Sequence, residues 1–304
     1  MTSALPSRFR LIAAFAAIYL IWGSSYLAIR IGIETLPPFL MAGGRFLVAG
    51  VLVLLIAGAR GPVRLTARDW LHAFVVGLLL FAGGNGALVW GEQTVPSGIA
   101  ALLVACTPMW MVLMDWLRPN GHAQNRWAVG GLLLGVVGVA TLLGPDAFTG
   151  RGIDPLGAAV ILGGSVSWAA GTIYTKRVGK PRSALLGTGT QMVCGGAVLL
   201  GLAFLLGEHT GFEPASASVR SLAAVAYLTL VASVVAFTAY TWLIRVTTPA
   251  RLGTYAYVNP VIAVFLGWAF AREPLTPRTI LAAAIIVVAV AVITLTAASE
   301  APGS

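Results

Sequence analysis

The sequence predicts an all-α integral membrane protein of ten transmembrane helices arranged as two inverted five-helix repeats. Three observations carry this. Hydrophobic residues make up 58% of the 304, charged residues only 10%, and the mean hydropathy is +0.91, whereas an ordinary soluble domain has about 25% charged residues. Ten separate apolar stretches are each long enough to span a bilayer, which takes roughly 20 residues at about 1.5 Å of helix rise per residue. The last five stretches repeat the first five at a nearly constant offset.

Taken in order, the spans read as Leu11–Ile29, Phe39–Ala59, Leu71–Trp90, Gly98–Leu117, Trp127–Leu143, Leu156–Tyr174, Leu185–Leu206, Leu222–Ile244, Leu252–Ala271 and Thr279–Ala298. The first follows Arg8 and Arg10, but its apolar run is longer than a signal core and lacks a small-residue cleavage site, so it is expected to be retained. Only short connections remain between spans. Function is therefore expected inside the bundle.

Lys and Arg accumulate in cytoplasmic loops. With the N-terminus inside, thirteen of the nineteen fall on the cytoplasmic side, among them Arg8, Arg60, Arg64, Arg68, Arg118, Lys176, Lys180, Arg182 and Arg251. Five fall opposite, Arg30, Arg151, Arg220, Arg272 and Arg278, and Arg45 lies within a span. Both termini are expected to be cytoplasmic. The net charge of +9 is thus explained by topology and contact with anionic lipid. Nucleic acid is not an expected partner, because the basic residues are scattered over separate loops.

The repeat is visible in the register of its rarest residues. An offset of 146 places Trp22 on Trp168, Tyr26 on Thr172 and Arg45 on Gln191; an offset of 152 then places Trp90 on Trp242, Pro108 on Pro260 and Trp116 on Trp268. Residues 1–150 and 151–304 form the two units. Each has an odd number of spans, so they insert with opposite orientation, the arrangement that lets a bundle alternate between two open faces around a central site.

Trp22-Gly23-Ser24-Ser25-Tyr26, Pro37-Pro38, Arg45-Phe46-Leu47, Ala105-Cys106-Thr107-Pro108, Tyr257-Val258-Asn259-Pro260 and Arg272-Glu273-Pro274-Leu275-Thr276 together resemble the EamA branch of the drug/metabolite transporter superfamily. The resemblance covers essentially the whole chain. It implies a secondary transporter in a bacterial inner membrane that moves small metabolites, most often an exporter of amino acids, with similarity to YddG-like exporters of aromatic ones. One departure stands out. The family commonly carries Gly-Glu after the fourth span as after the ninth, and here Arg118-Pro119-Asn120-Gly121 supplies no acid.

Tyr19, Trp22 and Tyr26 share a helical face, as do their mates Ser165, Trp168 and Thr172. Lipid satisfies no hydrogen bonds, so such faces turn towards protein or water, and these two are read either as opposite walls of a substrate cavity or as interhelical packing. Asn85 in Gly83-Gly84-Asn85-Gly86 needs amide partners, from the cavity or from a neighbouring backbone. Tyr240, with Ser233 and Phe237, forms another polar-aromatic stripe. Pro108 and Pro260 each free a carbonyl upstream, and Tyr257 and Asn259 beside Pro260 are the preferred binding pair. Gln191 lines the cavity or packs. Arg45, costly within a span unless paired, meets a substrate carboxylate, or pairs with Glu34 or Glu92 to hold a gate.

No metal or other cofactor is expected: His72, His122 and His209 stand apart, Cys106 and Cys194 occur singly, and no Walker or Rossmann loop is present. The rival classes are an intramembrane enzyme, which needs a nucleophile and base, and a channel. A carrier of nucleosides or sugar phosphates is the rival within the transporter class. The expected partners are a small-molecule solute and the lipid bilayer. A monomer suffices, although Gly131 and Gly135 offer a small-residue seam for a dimer or for packing within the chain.

Overall fold

The computed structural model of the protein describes residues 8–59, 61, 65–117, 126–144, 152–178, 183–247 and 249–299. Among them there is no strand. Among the described residues nine helices are long and apolar enough to cross a membrane, and Tyr255–Ala271 is a shorter apolar one. We label them α1 (Arg8–Gly32), α2 (Pro38–Gly58), α3 (Ala67–Gly91), α4 (Ser97–Trp116), α5 (Arg126–Leu143), α6 (Pro155–Val178), α7 (Ala184–Leu205), α8 (from Val219 through Val246), α9 (Tyr255–Ala271) and α10 (Pro277–Ser299). Arg60, Arg64, His122, Arg151, Lys180, Arg182 and the stretch Arg118-Pro119-Asn120-Gly121 lie outside the described residues.

Local chemistry sets several helix starts. Thr66 and Asp69 form a reciprocal capping box on α3, Ser218 accepts from the Ser221 amide on α8, and Asp154 accepts from Leu156 and Gly157 on α6. The starts of α2 and α4 differ. Each is preceded by a proline, Pro37 and Pro96, that makes no side-chain cap. Their exposed amides are met from afar: Glu208 after α7 accepts from Phe39 (3.2 Å) and Leu40 (2.8 Å), and Glu273 after α9 accepts from Ser97 (2.7 Å) and Gly98 (3.0 Å).

Glycines let α2 and α7 pack backbone to backbone. A Cβ added to Gly43 would sit 2.7 Å from the Leu200 nitrogen, and one on Gly196 would sit 2.7 Å from the Leu47 nitrogen. Apolar helices gain no hydrophobic drive from association in lipid, so close approach of this kind supplies the packing energy. Gly131 faces Ile293 of α10 and Gly135 faces Met109 of α4, so this stripe is covered from within the chain. Leu55, Leu133, Leu205 and Leu281 stay exposed on the outside of the bundle, as an apolar solvent requires.

Two departures from regular helix shape the interior. Gly77–Asn85 in α3 and Tyr227–Val235 in α8 are wide π-helical segments of nine residues each, a form that concentrates at functional sites. The proline positions differ: α4 breaks at Ala105–Cys106, where the Thr107 hydroxyl donates to the Val104 carbonyl (2.6 Å), while α9 continues through buried Pro260. The freed carbonyl at Val104 is thus satisfied locally.

Candidate functional site

An aromatic row crosses the bundle between the two π segments. The Trp22 ring on α1 meets Phe237 of α8 at 5.2 Å, Phe237 meets Phe81 of α3 at 6.3 Å, and Phe81 meets Trp168 of α6 at 6.4 Å. These separations and tilted planes are those of favourable aromatic pairs. The α1 and α6 tryptophans therefore do face one another across the interior, and Phe81 and Phe237 fill the space between them. Phe81 is only 1% exposed.

Trp22 is further enclosed by Tyr240 at 5.2 Å and Tyr255 at 5.3 Å, and its indole N–H donates to the Ala232 carbonyl within the α8 π segment (3.3 Å). Tyr255, rather than Tyr257, closes this cage. Tyr257 packs against the main core. Asn259 is buried against Gly23 of α1, and its Oδ1 has no hydrogen-bond partner. Tyr26 also packs on the main core, and the Gln191 backbone abuts Gly77 at the start of the α3 π segment.

Several hydroxyls on the same faces are committed to the scaffold. Ser165 accepts from the Trp110 indole (2.8 Å) and donates to the Leu162 carbonyl, Thr172 donates to the Trp168 carbonyl, and Ser233 donates to the Leu228 carbonyl five residues back. They hold the walls. Tyr19 bonds the Thr254 hydroxyl, fastening α1 to the start of α9.

A polar strip runs from the row towards one end of the bundle. Phe46 stacks edgewise on Phe81 at 4.8 Å, and the Arg45 guanidinium lies 4.3 Å from the Phe46 centroid. Arg45 is 5% exposed; it donates to the Asn85 carbonyl oxygen (3.2 Å), while its Nε–H has no partner. The Asn85 amide in turn donates to the Leu80 carbonyl in the π segment (3.4 Å). Arg45 is not joined to Glu34 or Glu92. Glu34 pairs with Arg220 at 3.2 Å, and Glu92 is fully buried with both carboxylate oxygens unbonded.

That end of the bundle is tied in several places. Arg30 donates to the Glu92 and Gln93 carbonyls, Thr94 donates to Asp154 (2.6 Å), Ser221 donates to the Ile31 carbonyl, and Glu208 and Glu273 hold α2 and α4. A cavity of about 380 Å³ remains there, lined by Arg30, Glu34, Arg220, Arg272 and Glu273. The half-buried Asp154 residue has its carboxylate held below the ordinary range, first by the Thr94 hydroxyl and then by the Gly157 amide.

Comparison with known proteins matches this arrangement to one family. The profile described as the EamA-like transporter family fits residues 10–144 and again 155–295. The chain belongs to the EamA-like transporter family. Members it resembles include the "uncharacterized inner membrane transporter YedA" of Escherichia coli K12, 41% identical over 286 residues that cover 94% of this chain and 90% of that protein. The "uncharacterized transporter YvbV" of Bacillus subtilis is 28% identical, with 89% and 86% covered, and "protein PecM" of Dickeya dadantii is 25% identical, with 84% and 82% covered. A solved crystal structure shares the fold with a TM-score of 0.64 at 21% identity, covering 96% of this chain and 99% of its own.

In this EamA-like transporter, sequence reasoning missed Phe81 and the two trans-capping carboxylates. Phe81 precedes Asn85 by four residues, so the side-chain face it shares with that amide was a usable signal. Nothing local marks Glu208 as the cap of a helix that starts some 170 residues earlier; such a contact follows from the tertiary arrangement.

Proposed function

We propose that this transporter is a secondary carrier built from two inverted five-helix repeats, which moves amino acids, aromatic ones foremost, out of the cell by alternating access and performs no chemistry on them. The observation that carries the reading is the aromatic row from Trp22, bonded to the α8 π segment at Ala232, through Phe237 and Phe81, the latter in the α3 π segment, to Trp168. Duplication is supported by the two successive fits of one family profile and by a π segment in both α3 and α8. Such repeats place a solute site near mid-membrane.

The side chains suit a zwitterion with an aromatic group. Phe81 and Phe237 occupy the room that a solute ring takes when the walls separate, the free Arg45 Nε–H is a donor for a carboxylate, and the free Asn259 Oδ1 is an acceptor for an ammonium. A buried donor or acceptor left unbonded is costly, so a ligand that bonds both gains from each. Trp22, Tyr26, Asn85, Trp168, Gln191, Tyr240, Tyr257 and Asn259 are the proposed binding residues, and Arg45, Glu34 and Glu92 the proposed gate or structural charges. With both termini cytoplasmic, the tied end faces outward and this is the outward-closed arrangement. The name of the YedA relative supports placement in a bacterial inner membrane.

Counterflow in proteoliposomes tests the proposal. Trans amino acid is expected to accelerate uptake of labelled phenylalanine. Conductance without saturation, or conversion of the solute, contradicts it, and acceleration only by nucleosides or sugar phosphates replaces the substrate class.

A further inference from the structure

Glu92 follows α3 at the tied end, is 0% exposed, and has no hydrogen-bond partner on either carboxylate oxygen. A carboxylate so placed is strongly disfavoured as an anion unless it is paired or coordinated. The charged and titratable groups around it are Tyr26 and Arg30 on α1, Arg45 on α2, Glu273 after α9 and, held by the Thr94 hydroxyl two residues along the chain, Asp154 at the start of α6. None bonds the carboxylate. Arg30 is turned onto the Glu92 and Gln93 backbone carbonyls, Arg45 onto Asn85, and Glu273 onto Ser97 and Gly98.

The arrangement is thus complete around Glu92 except at the carboxyl itself. Both nearby cations are held by other acceptors, and Glu273 repels a negative charge there. A proton is the one small species that neutralises the group with no rearrangement. When the tied end opens, the contacts of Arg30 to residues 92–93 and of Glu273 to α4 part, which brings water or a guanidinium to Glu92 and favours its ionised form.

Resting on the carrier reading above, we propose that Glu92 is the proton-binding site of the transport cycle, protonated in this closed arrangement and ionised when the tied end opens, so that solute movement is coupled to the proton gradient. Arg45, with its free Nε–H one strip further in, is the cation the ionised carboxylate attracts. The same arginine faces the proposed solute site, which links the two events.

The test needs no solute for its first arm. Infrared difference spectra of the purified full-length protein in nanodiscs, recorded against pH, are expected to show the carbonyl stretch of a protonated carboxyl that disappears in Glu92→Gln and persists in Glu213→Gln, a control at an exposed residue between α7 and α8. In the second arm, the amino-acid panel is run in proteoliposomes with and without an imposed pH gradient. The ratio of gradient-driven accumulation to exchange is expected to fall at least about tenfold in Glu92→Gln, a change of about 1.4 kcal/mol in coupling, and to stay at the wild-type value in Glu213→Gln. A wild-type spectrum without a titrating carboxyl, or a band unchanged in Glu92→Gln, overturns the proposal even if transport is normal. Absence of amino-acid exchange in the wild type sinks the substrate reading instead and leaves the infrared result to decide the site.

Discussion

Glu273, just past the end of α9, supplies the cap that α4 lacks: its carboxylate accepts from the amides of Ser97 and Gly98 and from the Ser97 hydroxyl at 2.7, 3.0 and 2.8 Å. Glu208, past α7, does the same for α2. In the proposed repeat α7 is the mate of α2 and α9 the mate of α4, so each carboxylate caps the helix related to the one it follows. The corresponding position after α4 carries no acid in this sequence. The closure these caps provide is one-sided.

Glu273→Ala is expected to remove about 0.5–2 kcal/mol of stability, the usual effect of losing a cap, and to raise the labelling of a cysteine placed at Arg272 lining the outer cavity. Thermal unfolding in detergent together with maleimide accessibility checks both. Unchanged accessibility would show that the cap does not restrain opening.

The contact of α2 with α7 predicts a sharp contrast between neighbouring glycines. Gly43→Ala puts a methyl 2.7 Å from the Leu200 nitrogen and is expected to cost about 1–3 kcal/mol. At Gly44 an added methyl meets nothing within 4 Å. Gly44→Ala is therefore expected to unfold at the wild-type temperature.

In the aromatic cage, Trp22→Phe keeps the ring contacts but loses the N–H donated to Ala232, whereas Trp22→Ala loses both. Transport is expected to fall several-fold in the first and at least about tenfold in the second, equivalent to about 1.4 kcal/mol or more, with expression intact. Uptake of labelled phenylalanine normalised to membrane protein measures it.

Asp154 carries a pH signature. Its folded-state value is depressed, chiefly by the Thr94 hydroxyl, so its stabilisation is present above the ordinary carboxylate value of about 3.9 and is lost as pH falls through the folded value. Thr94→Val removes that bond. The difference in unfolding temperature between wild type and variant is expected near neutrality and should close under acid.

Hydropathy made the spans legible, because a segment in lipid must satisfy its own backbone and advertise an apolar surface. Trp22 and Trp168 were readable as interior residues, since helical phase sets each among polar or aromatic neighbours that lipid does not satisfy. That Tyr255 lies beside Trp22 while Tyr257 packs on the main core was not readable, because α9 begins at Tyr255 after the turn at Gly253 and Thr254, and that start sets the phase of both tyrosines. The π segments were not visible: Gly83-Gly84-Asn85-Gly86 was read for its amide, and Tyr227–Val235 has no glycine or proline to announce it. The partners of Arg45, Glu34 and Glu92 depend on which helix ends meet. Spacing within one span carries no such information.

The most direct test of the central claim is counterflow of labelled phenylalanine into proteoliposomes containing wild type, Trp168→Ala or Gly44→Ala. If solute crosses between the two tryptophan walls, wild type and Gly44→Ala exchange alike and Trp168→Ala falls at least about tenfold. Equal exchange by all three, with each protein folded and inserted, would contradict a site in the aromatic row.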